Sequence, residues 1–174
     1  MRELSVDVIT NTVERLCIES NYYLPQDVKK ALEAAVLKEE SLIGKDTLID
    51  ILKNAEIAGK NQVPICQDTG LTVIFVELGQ DLRLVGGDFI EAINEGVRRG
   101  YINGYLRKSV VNDPFLIRKN TGDNTPAILH TTIVKGDKLR IIAAPKGGGS
   151  ENMSALRMLT PSEGIKGIKR FIVD

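Results

Sequence analysis

Apolar residues in the first sixty positions recur at intervals of three and four. Val6, Ile9, Val13, Leu16 and Cys17 fall on one helical face, with Asp7, Glu14 and Glu19 off it. A second helix follows, with Pro25 at its first position and Val28, Ala31, Leu32, Ala35, Val36 and Leu37 as its apolar set. After an Ile43-Gly44 break, Leu48, Ile49, Ile51, Leu52, Ala55 and Ala58 mark a third helix that ends at Gly59. Helices in such a series form a small bundle or lie on a sheet.

The pattern changes at Gln62. Residues 71–78 are short, apolar and β-branched between Gly70 and Gly79, and read as a strand. Asp88 caps a further helix whose face carries Phe89, Ile90, Ala92, Ile93 and Val97, with no clear end between Gly100 and Gly104. Residues 106–126 are polar and aperiodic, and a stretch of that length within a domain usually carries function or moves. Strands over Ile128 to Val134 and Leu139 to Ala144, joined at Gly136-Asp137, read as a hairpin. Met153 to Leu159 suggests a short helix, and Thr160-Pro161-Ser162-Glu163 is a capping box that starts another. Phe171, Ile172 and Val173 are still apolar where the chain stops at Asp174, so a piece of a longer protein is expected. The predicted fold class is α/β (α+β). Residues 1–61 form a helical segment, and residues 62–174 form a small mixed or antiparallel sheet with flanking helices.

Composition narrows the function classes. Hydrophobic residues make up 43% of the 174, enough for a core, but with no Trp that core is aliphatic. Lys plus Arg and Asp plus Glu stand at 23 each, with His130 the single histidine, so nothing draws the whole chain to nucleic acid or an anionic membrane. No apolar run approaches the ~18 residues of a membrane span. The first residues, Met1 to Asp7, carry acids where a signal peptide is apolar. Cys17 and Cys66 make no secreted-type disulfide framework. A cytoplasmic protein is expected.

Three segments carry candidate chemistry. Cys66 stands beside Gln67, Asp68, Thr69 and Gly70. A lone cysteine is most often a small buried hydrophobe, whereas an amide, a carboxylate and a hydroxyl beside a glycine suit a substrate-facing turn. Gly147, Gly148 and Gly149 after Lys146 let backbone N–H groups converge on an anion, with Ser150 placed to cap a following helix. A plain flexible turn explains the same glycines. The order of Lys and Gly is wrong for a phosphate loop, and no dinucleotide fingerprint occurs. Arg107 offers a planar fork for a carboxylate, or is ordinary surface charge. Asn120, Thr121, Asp123, Asn124 and Thr125 are suited to tie their loop to itself. Cys17 is expected to pack in the first helix, and His130 to be structural.

Four motifs then occur in one order: Pro-Ile-Cys-Gln-Asp-Thr-Gly at 64–70, Gly-Tyr-Leu-Arg-Lys-Ser-Val-Val at 104–111, Asn-Thr-Gly-Asp-Asn-Thr-Pro-Ala at 120–127 and Pro-Lys-Gly-Gly-Gly-Ser-Glu-Asn at 145–152. In this the chain resembles, along essentially its whole length, the alpha subunit or N-terminal region of the iron–sulfur class I fumarate hydratases and the related L-tartrate dehydratases.

The resemblance implies a hydro-lyase with a [4Fe–4S] cluster held by three cysteines, one iron being left open to act as a Lewis acid on the substrate hydroxyl. It makes Cys66 the first cluster ligand and Asp68 the catalytic carboxylate. Gln67, Asp68, Arg107 and one or more of Gly147, Gly148 and Gly149 become substrate contacts. Cys17 matches neither remaining ligand, so the cluster is expected to be absent or incomplete in this chain alone. The resemblance also implies a small dicarboxylate substrate, a beta subunit or C-terminal domain as partner, and an oligomer of alpha–beta pairs. Fumarate is the expected substrate. The alternatives are L-tartrate, or a non-catalytic anion-binding or assembly module.

Overall fold

The fold is organised by one long helix laid along another. The computed structural model describes residues 2–149 and 154–174. Strand β1 (Arg2–Ser5) runs directly into helix α1 (Val6–Tyr22), where the Ser5 hydroxyl accepts the N–H of Asp7 at 3.2 Å and caps the helix. The α1 stripe of Val6, Ile9, Val13 and Cys17 is buried as its spacing requires. It faces helix α4 (Phe89–Asn103), capped by Asp88 through the N–H of Glu91.

Two glycines set how closely these helices approach. A Cβ on Gly96 would lie 2.7 Å from the Thr10 carbonyl oxygen and the Val13 Cβ, and one on Gly100 would lie 2.7 Å from the Cys17 Cβ. Gly100 is therefore a packing residue rather than a terminator, and α4 continues to Asn103. Ala92, Ile93 and Val97 are buried on the expected face, whereas Ile90 is exposed.

Helix α2 (Gln26–Lys38) and helix α3 (Leu42–Asn61) pack chiefly on each other. No residue of α2 is buried, and α3 buries only Ala58, near where Gly59 meets the Tyr23 ring. Three boundaries differ from the sequence reading. Pro25 is the residue before the first turn of α2, not its first helical residue. The Ile43-Gly44 break lies inside α3, because Ser41 caps the helix through the N–H of Gly44. Its end moves past Gly59 to Gln62, which adopts the left-handed conformation.

Strand β2 (Leu71–Gly79) is central to a three-stranded sheet, with β4 (Ile128–Val134) parallel on one side and β5 (Leu139–Lys146) antiparallel on the other. Thr72, Ile74 and Val76 turn to the helices and Phe75 turns away, stacking on His130 with ring centroids 5.1 Å apart. The short strand β3 (Leu82–Val85) pairs in parallel with β1. The sheet is thus mixed, as expected, but the expected β4–β5 hairpin does not form. The connection from Lys135 to Lys138 instead passes over the end of β2, which lies between them. Gly79 permits the crossing, since a Cβ there would sit 2.4 Å from the Gly136 carbonyl oxygen. The N–H of Gly79 meets the Lys138 carbonyl at 2.8 Å and that of Asp81 meets the Gly136 carbonyl at 3.0 Å.

Residues 154–159 have no regular structure, so the helix expected before Leu159 is not found there, and Met153 lies outside the described residues. The Thr160–Glu163 capping box is present. It opens a single 3-10 turn, followed by helix α5 (Gly164–Val173).

Candidate active site

The segment 66–70 is shaped by what holds it from below. Gly70 has φ of 66°, and a Cβ there would lie 2.2 Å from the Lys146 carbonyl oxygen, so only glycine lets β5 end against this turn. The buried Tyr101 hydroxyl donates to the carbonyls of Thr69 at 2.8 Å and Gly70 at 3.2 Å. The Thr69 hydroxyl donates to the Arg107 carbonyl at 2.8 Å. Burial pushes the Tyr101 phenol up to about 12, so it keeps its proton and remains a donor.

Asp68 links two segments. Its Oδ1 accepts the N–H of Gly70 at 3.0 Å and its Oδ2 accepts the N–H of Gly148 at 2.9 Å. The glycine run is thereby drawn against the turn. A Cβ on Gly147 would come within 3.2 Å of that same oxygen, while Gly148 and Gly149 have open space around them. Cys66 is exposed, and its sulfur accepts the N–H of Asp68 at 3.4 Å. The buried-hydrophobe reading of Cys66 is therefore overturned, because the backbone turns outward before Asp68 turns back in. Gln67 is exposed beside it.

These elements enclose an open cavity of about 310 Å³, lined by Asp68, Leu71, Arg107, Ser109, Lys146 and Gly148 among others. Among the described residues, two cationic side chains and one carboxylate line it, a balance that suits an anion. Lys146 stood at the head of the glycine-run candidate but was given no site role of its own from sequence. Its signal was position, since it pairs with Leu71 at the end of β5 and so opens onto the turn. The Ser109 hydroxyl is sealed within the wall and has no hydrogen-bond partner among the described residues. The Ser150 cap proposed from sequence lies outside the described residues.

The polar segment 106–126 is ordered by its own side chains. Asn120 accepts the N–H of Gly122 and donates to the Lys108 carbonyl. Asp113 accepts N–H groups from Phe115, Leu116 and Ile117. These bonds hold its carboxyl below the usual carboxylate range. Burial pushes the Asp123 carboxyl up, but the Thr125 hydroxyl and N–H together with Arg98 outweigh it and hold it low. Asn124 is wholly buried and joins the Gly70 carbonyl to the backbone at Ser109 and Val110.

A family model described as fumarate hydratase (Fumerase) matches residues 10–174. The chain belongs to this family. It is 44% identical over 95% of its length to a Methanocaldococcus jannaschii protein provisionally named L(+)-tartrate dehydratase subunit alpha, of which it covers 60%. It is 36% identical over 81% of its length to the anaerobic class I fumarate hydratase of Escherichia coli K12, covering 26% of that protein. It is 27% identical over 99% of its length to the L(+)-tartrate dehydratase subunit alpha of Escherichia coli O157:H7, covering 57% of it. The chain thus spans well under two thirds of the relatives it matches. No described helix is long and apolar enough to cross a membrane.

The class I members of the Fumerase family are iron–sulfur enzymes, and the donor set here can be tested against such a group. Cys66 fits as one ligand, being an accessible thiol in contact with the backbone of Asp68, which lines the cavity. Cys17 does not fit, because it is buried in α1 and burial pushes its thiol up to about 12. Among the described residues no three or more His, Cys, Asp or Glu side chains gather into a metal site. Of the two thiols, Cys66 alone is accessible to such a group.

Proposed function

We propose that this chain is the N-terminal part of the alpha component of a [4Fe–4S]-dependent hydro-lyase acting on a four-carbon dicarboxylate. The observation that carries this reading is the exposed Cys66 thiol, whose sulfur accepts the N–H of Asp68, together with the cavity that joins Asp68, Arg107, Lys146 and Gly148. A non-catalytic anion-binding module would have no use for that thiol.

L-tartrate is favoured over fumarate. The support is the 44% identity over nearly the whole chain with a relative provisionally named L(+)-tartrate dehydratase subunit alpha, against 36% over a shorter span with a class I fumarate hydratase. The fumarate expectation from sequence is thus the less supported of the two, and it stays as the second reading.

In the complete enzyme Cys66 would be one of three thiolate ligands, and the bound cluster would supply Lewis acidity toward the substrate hydroxyl. The other roles belong to this chain. Arg107 binds one substrate carboxylate through its planar fork, and Lys146 adds charge to the same cavity. Asp68, the catalytic candidate, holds the turn and the glycine run together, and its remaining lone pairs face the bound substrate with Gln67 beside it. Gly148 lines the same cavity with its N–H held by Asp68, and the run Gly147, Gly148 and Gly149 is the proposed backbone contact to substrate. The remaining ligands and the proton-transfer partner come from outside this chain, from further alpha sequence and from a beta component, as the subunit names of the relatives suggest. Pairs of such components assemble into an oligomer. A reducing cytoplasm suits both an exposed thiol and a cluster with an open iron.

The test is anaerobic reconstitution of the full alpha and beta components, with turnover of L-tartrate compared with that of fumarate. The Cys66→Ala enzyme should lose the visible absorption of the cluster together with turnover. Cluster absorption that persists in Cys66→Ala would sink the ligand assignment.

A further inference from the structure

We propose that Asn124 is a positioning residue that sets the distance between the Arg107 arm and the Asp68 turn. The inference rests on the hydro-lyase reading above and adds a residue that touches neither substrate nor cluster.

The case is atomic. Asn124 has no exposed surface. Its Oδ1 accepts the N–H of Ser109 at 2.7 Å and that of Val110 at 3.2 Å, which fixes the backbone just after Arg107. Its Nδ2 donates to the Gly70 carbonyl at 3.0 Å, which fixes the backbone just after Asp68. One amide thus spans the two segments that bring the anion-binding cation and the carboxylate to one cavity. No other side chain of similar size does this, because the site needs an acceptor and a donor on one planar group. The backbone of Asn124 is also left-handed, with φ of 64°, which asparagine tolerates better than other non-glycine residues. The Thr69 hydroxyl, on the Arg107 carbonyl at 2.8 Å, is a second tie between the same segments.

A dicarboxylate held at both ends requires a fixed span between its anchors. Displacement of Arg107 relative to Asp68 by a fraction of an ångström costs binding and alignment together. Asn124→Asp separates the two halves of the amide: the oxygen that accepts from Ser109 and Val110 remains, while the donor to Gly70 is replaced by an oxygen facing a carbonyl.

The experiment uses the complete reconstituted alpha–beta enzyme. In Asn124→Asp, KM for the dicarboxylate should rise at least tenfold, with cluster absorption intact. Succinate, as a non-reacting four-carbon dicarboxylate, should bind at least tenfold more weakly by calorimetry. Combining Asn124→Asp with Arg107→Lys should give less than the product of the single effects, since both act through one anchor. Where Asn124→Asp does not fold, Thr69→Val cuts the second tie with a side chain of the same shape and should shift KM the same way. A folded variant with unchanged KM and succinate affinity overturns the proposal, as do strictly multiplicative effects with Arg107→Lys. A wild-type enzyme that turns over neither L-tartrate nor fumarate defeats the hydro-lyase reading instead, while succinate affinity still decides the role of Asn124.

Discussion

The carboxylate of Asp68 accepts the backbone N–H of Gly148, 80 positions along the chain, at 2.9 Å. With Gly70 on its other oxygen, Asp68 is the clasp between the Cys66 turn and the glycine run. Asp68→Ala leaves both donors without their partner. Stability should fall by about 1–2 kcal/mol in denaturant unfolding, and amide exchange at Gly148 should quicken. Unchanged exchange there would show that the run is held by other bonds.

Gly70 and Gly122 both have positive φ, at 66° and 84°, yet they should respond differently to alanine. A Cβ on Gly70 meets the Lys146 carbonyl oxygen at 2.2 Å, whereas one on Gly122 meets nothing within 4 Å. Gly70→Ala should cost about 3 kcal/mol or more, combining backbone strain with a clash that cannot relax. Gly122→Ala should cost only the strain, about 1–2 kcal/mol. Equal costs by thermal unfolding would contradict the close approach of β5.

Tyr101→Phe removes the donor shared by the carbonyls of Thr69 and Gly70 while leaving the ring in the core. A loss of about 1–2 kcal/mol is expected, because a buried acceptor loses its partner. The Asn124 amide still donates to the Gly70 carbonyl, so the loss should fall short of that for Gly70→Ala. Unfolding midpoints of the two variants check the order.

The two thiols should differ in reactivity. At neutral pH an alkylating agent should label Cys66 in the folded chain and reach Cys17 only on unfolding. Burial raises Cys17 from an ordinary 9.0 to about 12, and Tyr101 from 10.0 to about 12. Both hold a proton in the folded state that the unfolded chain gives up, so their stabilising effect is fully present below pH 9 and is lost as pH rises toward 12. A stability curve flat across that window would be the contrary result.

Much of the fold was legible because periodicity reports burial. The α1 stripe of Val6, Ile9, Val13 and Cys17 and the β2 alternation of Thr72, Ile74 and Val76 are buried as their spacing requires. The glycines misled. Gly44 read as a break, yet it lies in the first turn of α3, and the end left open between Gly100 and Gly104 falls at Asn103 because Gly100 packs against α1. A glycine has the same letter whether it ends a helix or lets a neighbour approach. Strands β1 and β3 were not expected, because each has four residues and is defined only by its pairing with the other.

The sequence by itself determined the helical first third, the central strand, the self-tying polar loop and the motif order that marks the family. Those features depend on local spacing and residue type. The tertiary structure alone decided that β2 separates β4 from β5, that Lys146 joins Arg107 at one cavity, and that Asn124 and Asp68 bridge segments tens of residues apart. Strand order and side-chain bridges depend on which distant backbones approach, and no local pattern records that.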